Sequence, residues 1–326
     1  MKRTGLIMVL FVWAIALNAQ TLKFSSDGRF KISQLTDTHY YLGGEKSQAV
    51  LDNLKVVAES ERPDLFVLTG DIVTARNNTI ESWKSLTEAL EQYNTPYLVV
   101  FGNHDDEGDR SRKEIYDYLR SRKLCLIADA DNVSGVANYS LPIYSSKGSK
   151  EAFVLYAIDS KSYSTEKGKG VEGYGWIGRD QINWFAATNE MWKSKNEDIK
   201  GMMFFHIPLP EYRLAWEQKS FRKGMKGEDE CAPEINTGMF AEMLLQGNVL
   251  GAFVGHDHNN NYVAQYYGII LGYGAYSGGN TYFDLRTNGS RIIELQEGAH
   301  SFKSWIRYSD KSTDQMLTLP PKISKF

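Results

Sequence analysis

Five of the chain's six histidines fall in one ordered series of short motifs. The series is Asp37-Thr38-His39, Gly70-Asp71, Gly102-Asn103-His104-Asp105, His206 and Gly255-His256-Asp257-His258; only His300 lies outside it. Neutral imidazole and carboxylate are the side chains that bind divalent transition metals. Enough of them are present here for two adjacent metal sites, so a hydrolytic dinuclear centre is the leading reading. A cysteine-ligated zinc site is excluded, because the two cysteines, Cys125 and Cys231, form no CxxC pair.

Each motif follows an apolar run of strand length. Ile32 to Leu35 leads to Asp37, Leu65 to Leu68 leads to Asp71, and Tyr97 to Phe101 leads to Asn103. Met202 to Phe205 ends at His206, and Leu250 to Val254 leads to His256. Short apolar runs stopped by Gly or polar residues read as buried strands. Every candidate ligand therefore sits at the carboxyl end of a strand, the edge where open α/β sheets build their sites. Gly70, Gly102 and Gly255 each precede a candidate ligand, where a missing Cβ lets the backbone turn tightly beside an ion.

Between these runs, Val50, Leu51, Leu54, Val57 and Ala58 repeat with helical period, as do Ile80, Trp83, Leu86, Leu90 and Tyr93. Asp37, Asp71 and Asn103 are spaced by about 30 residues, the size of one βαβ unit, so the first half reads as parallel β-α-β-α-β. Strands at Asn138 to Ile143 and Ala152 to Ile158 follow, antiparallel and in a second sheet, then a helix around Gln181 to Met191. Tyr262 to Arg307 reads as a meander of five strands, one of them Tyr282 to Leu285. The loops Ser160 to Gly178 and Lys219 to Gly238 are long for a compact domain, which marks them as functional candidates. Two sheets with helices outside each is the simplest packing.

At 326 residues, with 42% hydrophobic and 24% charged residues, the chain is an ordinary globular protein, and one large sandwich accommodates most of it. A net charge of −3 supplies no basic stripe for wrapping nucleic acid. Lys2 and Arg3 precede an apolar stretch from Leu6 to Leu17, followed by Asn18-Ala19. This has the layout of a secretory signal over residues 1–19 and is too short for a membrane span. The expectation is an exported, periplasmic or secreted protein, mature from about Gln20, with a catalytic domain over residues 23–308. The last segment, 309–326, carries Pro320-Pro321 and scattered Lys and Ser and reads as a peripheral tail.

Taken together, the motifs resemble those of the calcineurin-like metallophosphoesterases: D-x-H, G-D, G-N-H-D, H and G-H-x-H. The resemblance spans Phe30 to about Arg307. Longer strings look like one branch of that family, the plant proteins called purple-acid-phosphatase-like and a yeast dephosphorylating relative. They are Gly102-Asn103-His104-Asp105-Asp106-Glu107, Gly173-Tyr174-Gly175-Trp176-Ile177, His206-Ile207-Pro208-Leu209-Pro210-Glu211, Cys231-Ala232-Pro233 and Gly255-His256-Asp257-His258. True purple acid phosphatases place a metal-bound tyrosine three residues after the G-D aspartate. Thr74 stands there in this chain, so no tyrosinate-iron colour is expected.

The resemblance implies an α/β four-layer sandwich, two mixed β-sheets flanked by helices. It implies that Asp37, His39, Asp71 and His258 hold one metal, and that Asp71, Asn103, His206 and His256 hold the other, with Asp71 bridging. Either would be a divalent or trivalent ion, zinc, manganese or iron. The implied reaction is hydrolysis of a phosphate ester, monoesters favoured, by a hydroxide shared between the metals. Phosphodiester or nucleotide hydrolysis would use the same centre, and a non-catalytic metal-binding scaffold is the alternative of another class. The substrate would be a phosphorylated small molecule or phosphoprotein. Asn103 is neutral and preserves the positive surplus that favours an anionic ester. His104 would face the substrate and protonate the leaving oxygen, with Asp105 fixing its tautomer. Arg110 and Arg112 follow closely enough to contact phosphate. Tyr40, Tyr163, Tyr174, Trp176 and Tyr273 are candidates to line the leaving-group pocket.

Overall fold

The computed structural model describes residues 21–283 and 288–321. In chain order the strands are β1 (Arg29–Leu35), β2 (Leu65–Thr69), β3 (Tyr97–Val100), β4 (Tyr139–Tyr144), β5 (Glu151–Ala157), β6 (Lys200–Phe204), β7 (Arg222–Lys223), β8 (Val249–Val254), β9 (Val263–Tyr266), β10 (Ile269–Tyr273), β11 (Gly289–Gln296), β12 (Phe302–Tyr308) and β13 (Thr313–Leu319). The α-helices are α1 (Ser47–Glu61), α2 (Thr79–Glu91), α3 (Arg112–Arg120), α4 (Arg179–Lys195), α5 (Glu211–Gln218) and α6 (Met239–Gln246).

The strands form two mixed sheets. One has the order β13-β12-β11-β1-β2-β3, the other β4-β5-β6-β8-β10-β9-β7. β1, β2 and β3 run parallel, as do β5, β6, β8 and β10, while the outer strands are antiparallel. Side chains alternate across a strand, and both faces of the second sheet are covered. Phe153, Leu155, Ala157, Met202 and Phe204 pack in one core with Ile32, Leu65 and Val99 of the first sheet. Their neighbours Val154, Tyr156, Met203 and Phe205 pack in another with Ile182 and Phe185 of α4 and Met243 of α6. Burial on both faces is why these strands read as unbroken apolar runs. α1 and α2 bury Val50, Leu54, Val57, Trp83, Leu86 and Leu90 against the first sheet, as their periodicity requires.

Three readings of the sequence need correction. The region from Tyr262 to Arg307 is no meander: β9 and β10 belong to one sheet, β11 and β12 to the other. Alternation within a strand records which residues are buried and not which sheet buries them. Thr281 to Phe283 is not strand, and residues 284–287 lie outside the described residues. The segment after Asp310 is not peripheral either, because β13 pairs with β12 along an edge. Its strand character was hidden because Thr313, Asp314 and Met316 are exposed while Gln315 and Leu319 are buried. Gln315 and the buried Arg291 bond each other, and Gln315 also donates to Asn261, tying this edge to the second sheet.

Cys125 and Cys231 are unpaired. The signal-like segment lies outside the described residues, and among those described no helix is long and apolar enough to cross a membrane.

Candidate metal centre

The ends of β1, β2, β3, β6 and β8 converge, and each delivers its motif to one place. Two groups of side chains there can each hold a metal ion: Asp37, His39 and His258, and Asp71, His206 and His256. All six are buried. In the first group His39 Nε2 lies 3.2 Å from His258 Nε2, which is 3.5 Å from Asp37 Oδ1. In the second, His206 Nε2 lies 3.2 Å from Asp71 Oδ2, 3.2 Å from Asn103 Oδ1 and 3.3 Å from His256 Nδ1. Ligand atoms about 2.0–2.2 Å from a common ion stand roughly 3–3.5 Å apart, so these spacings fit a shared cation. Asp71 Oδ2 is also 4.0 Å from His39 Nε2, which makes this one oxygen the atom common to both groups.

The local backbone is bent to reach this arrangement. Asp37, His39, Asp71 and His256 all have positive φ, at 51°, 44°, 52° and 81°. Left-handed backbone at residues other than glycine is a strained conformation that clusters at functional sites. Glycine is required where loops meet. A Cβ on Gly255 would lie 1.9 Å from Thr36 Oγ1 and 2.5 Å from Asp37 Oδ2, and one on Gly102 would lie 2.2 Å from Asp71 Oδ1.

An outer set of hydrogen bonds aims the ligands. His206 Nδ1 donates to the Thr69 carbonyl at 2.8 Å, and His258 Nδ1 donates to that of Tyr282 at 2.9 Å, which makes each Nε2 the nitrogen aimed at the ion. The Asp37 carboxylate accepts from the His256 amide at 3.0 Å, and Asp71 Oδ1 accepts from the His104 amide at 2.8 Å. Asp105 is fully buried and accepts four backbone amides: those of Asp71 and Gly102 on Oδ2, and of Ile72 and Val73 on Oδ1.

That last contact corrects the expected role of Asp105. It does not touch the His104 ring but clamps the Gly70-Asp71 loop to the Gly102-Asn103 loop. The group on His104 Nδ1 is Glu107, whose Oε2 is 2.6 Å away. Asp105 is the acid adjacent in sequence, but the turn after His104 brings the one three residues on to the ring. Arg110 is exposed and pairs with Asp109, and no candidate ligand is among its partners. Arg112 is buried and committed to Asp159, Asp106, Ser162 and the Gly102 carbonyl, so it braces the loop from behind. Tyr40 is a core residue bonded to Ser85, and Tyr273 is buried against Asp257. Two of the proposed tyrosines do reach the centre. Tyr174 packs edge-on against His256 with ring centroids 4.3 Å apart, and it stacks on Tyr163. Trp176 lines a neighbouring cleft of about 680 Å³ together with Tyr163 and Lys161.

The electrostatics suit a cation. Burial opposes charge on Asp71, but the imidazoles of His206 and His39 outweigh it and hold the carboxyl well below the usual carboxylate range. Burial keeps His256 down at about 3 and His39 at about 4, so both are neutral. His206 behaves oppositely. Burial works against its charge, yet the Asp71 carboxylate lifts it to about 9. A cation must displace that proton, so metal affinity should rise by about tenfold per pH unit between pH 7 and 8.5 and level off above about 9. Zinc titrations of metal-stripped protein check this; a flat profile would remove His206 from the ligand set.

Comparison with known proteins agrees with this geometry. The family model for calcineurin-like phosphoesterases matches residues 30–260. The chain is 30% identical to an Arabidopsis thaliana protein called probable inactive purple acid phosphatase 14, over 92% of this chain and 86% of that one. It is 32% identical to the Saccharomyces cerevisiae phosphatase DCR2, over 75% of this chain and 46% of that one. In fold it is similar to a Danio rerio dimetal phosphatase, with a TM-score of 0.61 and 14% identity over 89% of this chain and 98% of that one. A yellow lupin purple acid phosphatase aligns with a TM-score of 0.53 and 13% identity, over 90% of this chain and 54% of that one. Converging motifs, sheet order and family match lead to one conclusion: the chain belongs to the calcineurin-like phosphoesterase family.

Proposed function

We propose that this protein hydrolyses phosphate esters, monoesters in preference, at a dinuclear metal centre held by Asp37, His39, Asp71, Asn103, His206, His256 and His258. The observation that carries the reading is Asp71 Oδ2, placed between two ligand groups. Two bound cations would supply a strong oxygen nucleophile near neutral pH and offset the charge of the ester.

The chain's own residues do the rest. Asp37 and Asp71 are the two carboxylates, and Asn103 offers an oxygen without a third negative charge, which leaves the centre attractive to an anion. His104 lies at the partly open side, its ring 5.7 Å from that of His39. Glu107 occupies Nδ1, so Nε2 is the nitrogen able to hand a proton to the leaving oxygen. Tyr163 and Tyr174 form an aromatic wall beside it.

Several plant relatives carry the words "probable inactive" in their names. For this chain catalysis is the better reading, because no position of the metal set is lost and His104 is present. A scaffold has no need of an uncapped histidine nitrogen beside the ligands. The test is a panel of metal-loaded assays on alkyl and aryl monoesters, a diester and a nucleotide, with zinc, manganese and iron each supplied. Turnover highest on monoesters supports the proposal. A preference for the diester transfers the same centre to phosphodiester chemistry, and two bound metals with no turnover on any ester would make the protein a scaffold.

A further inference from the structure

We propose that Glu107 and Tyr163 are positioning residues, which fix the His104 ring with Nε2 toward substrate and fix the Asn103 amide with its oxygen toward the metal site. The kinetic part of this rests on the phosphohydrolase reading; the geometric part does not.

In the sequence Glu107 is the third of three consecutive acids after His104. In the fold, its Oε2 lies 2.6 Å from His104 Nδ1, and its Oε1 accepts from the Tyr163 hydroxyl at 2.8 Å. The Tyr163 oxygen in turn accepts from Asn103 Nδ2 at 3.4 Å. Asn103 and His104 are chain neighbours, so the contacts close a ring: Asn103, Tyr163, Glu107, His104.

Directions in that ring are determined by donor inventory. A carboxylate only accepts, so Tyr163 spends its single proton on Glu107, and His104 must keep a proton on Nδ1, which leaves Nε2 as the nitrogen that carries the proton given to the leaving oxygen. With its proton spent, the Tyr163 oxygen meets Asn103 as an acceptor. The Asn103 NH2 therefore points to Tyr163, which turns Oδ1 to the side where His206 Nε2 lies 3.2 Å away. One tyrosine thus sets both the amide that binds metal and, through Glu107, the histidine that faces substrate. The Tyr163 ring is braced on Tyr174, which packs on His256. The Ser160 to Gly178 loop thereby becomes part of the reaction apparatus as well as a wall of the pocket.

Glu107 is about half exposed, with a side-chain exposure of 49%. An exposed ion pair contributes little to stability, so Glu107→Ala should fold and melt like the wild type. The variants to compare are Glu107→Ala and Tyr163→Phe, both loaded with zinc. Long-range 1H–15N spectra of the histidine rings, with His104 assigned through His104→Ala, report which nitrogen holds the proton without reference to activity. The expected wild-type ring always keeps the Nδ1 proton, held by Glu107, so that the proton exchanged with substrate resides on Nε2; in Glu107→Ala the neutral ring should shift toward Nε2–H. In turnover, Glu107→Ala should lower kcat on an alkyl monoester by about 10–100-fold, the size usual when the partner orienting a functional histidine is removed. KM should stay within about twofold, and a p-nitrophenyl ester should lose less. Tyr163→Phe should lower kcat and also weaken one metal site by about tenfold. An unchanged His104 tautomer in Glu107→Ala overturns the proposal. So do equal losses on both esters with a raised KM, which would make Glu107 a substrate contact. If the wild type hydrolyses no ester, the phosphohydrolase reading falls while the tautomer result alone decides the positioning role.

Discussion

Asp71→Asn should abolish hydrolysis and disturb both metals at once. The argument lies in how its two oxygens are used. Oδ1 accepts the His104 amide at 2.8 Å, and Oδ2 is the atom between the two histidine groups. An asparagine must keep its oxygen on the His104 amide, or bury that donor unpaired at a cost of about 1–3 kcal/mol. Its NH2 then falls in the bridging position, where it donates hydrogen bonds and cannot ligate. Metal-derived charge stabilisation is worth several kcal/mol, and each 1.4 kcal/mol is tenfold in rate. A loss of at least about 10³-fold is expected, with both ions bound weakly. The four amides clamped by Asp105 keep the loop in place, so the variant should still fold. Elemental analysis finding both sites filled in this variant would remove the bridging role.

His104→Ala should separate substrates by their leaving groups. A proton donor matters most where the departing alkoxide is basic, so alkyl monoesters should slow by about 10²–10⁴-fold. A p-nitrophenyl ester, whose leaving group needs little protonation, should lose much less. Both metals should stay, because neither ligand group includes this ring. Equal losses across leaving groups would make His104 a charge-stabilising residue instead. Loss of metal would show that the ligand set itself is wrong.

Much of the site was legible in the sequence because its ligands obey a local rule. Each follows a buried strand that shows as an apolar run, and the glycines beside them mark loops too tight for a Cβ. Parallel strands β1, β2 and β3 were readable for the same reason, being spaced by helices with clear periodicity. What failed was information carried by contacts distant in sequence. Which sheet takes β9 or β11 depends on partners far along the chain, and an edge strand such as β13 buries too little to show a pattern. The same holds at the centre. Asp105 and Glu107 are both acids close to His104, and only the turn geometry decides which meets the ring and which the backbone. Arg112 follows the His104 motif closely enough to read as a phosphate contact. Here Asp159, a residue with no motif around it, draws it inward.

The most direct test of the central claim is a stoichiometric titration. Metal-stripped protein receives zinc or manganese in steps while phosphate release from an alkyl monoester is followed alongside bound metal. Two ligand groups sharing Asp71 predict a rate that keeps rising past the first equivalent and reaches its plateau at about two ions per chain. A plateau at one ion, or two bound ions with no phosphate released under any metal, would contradict it.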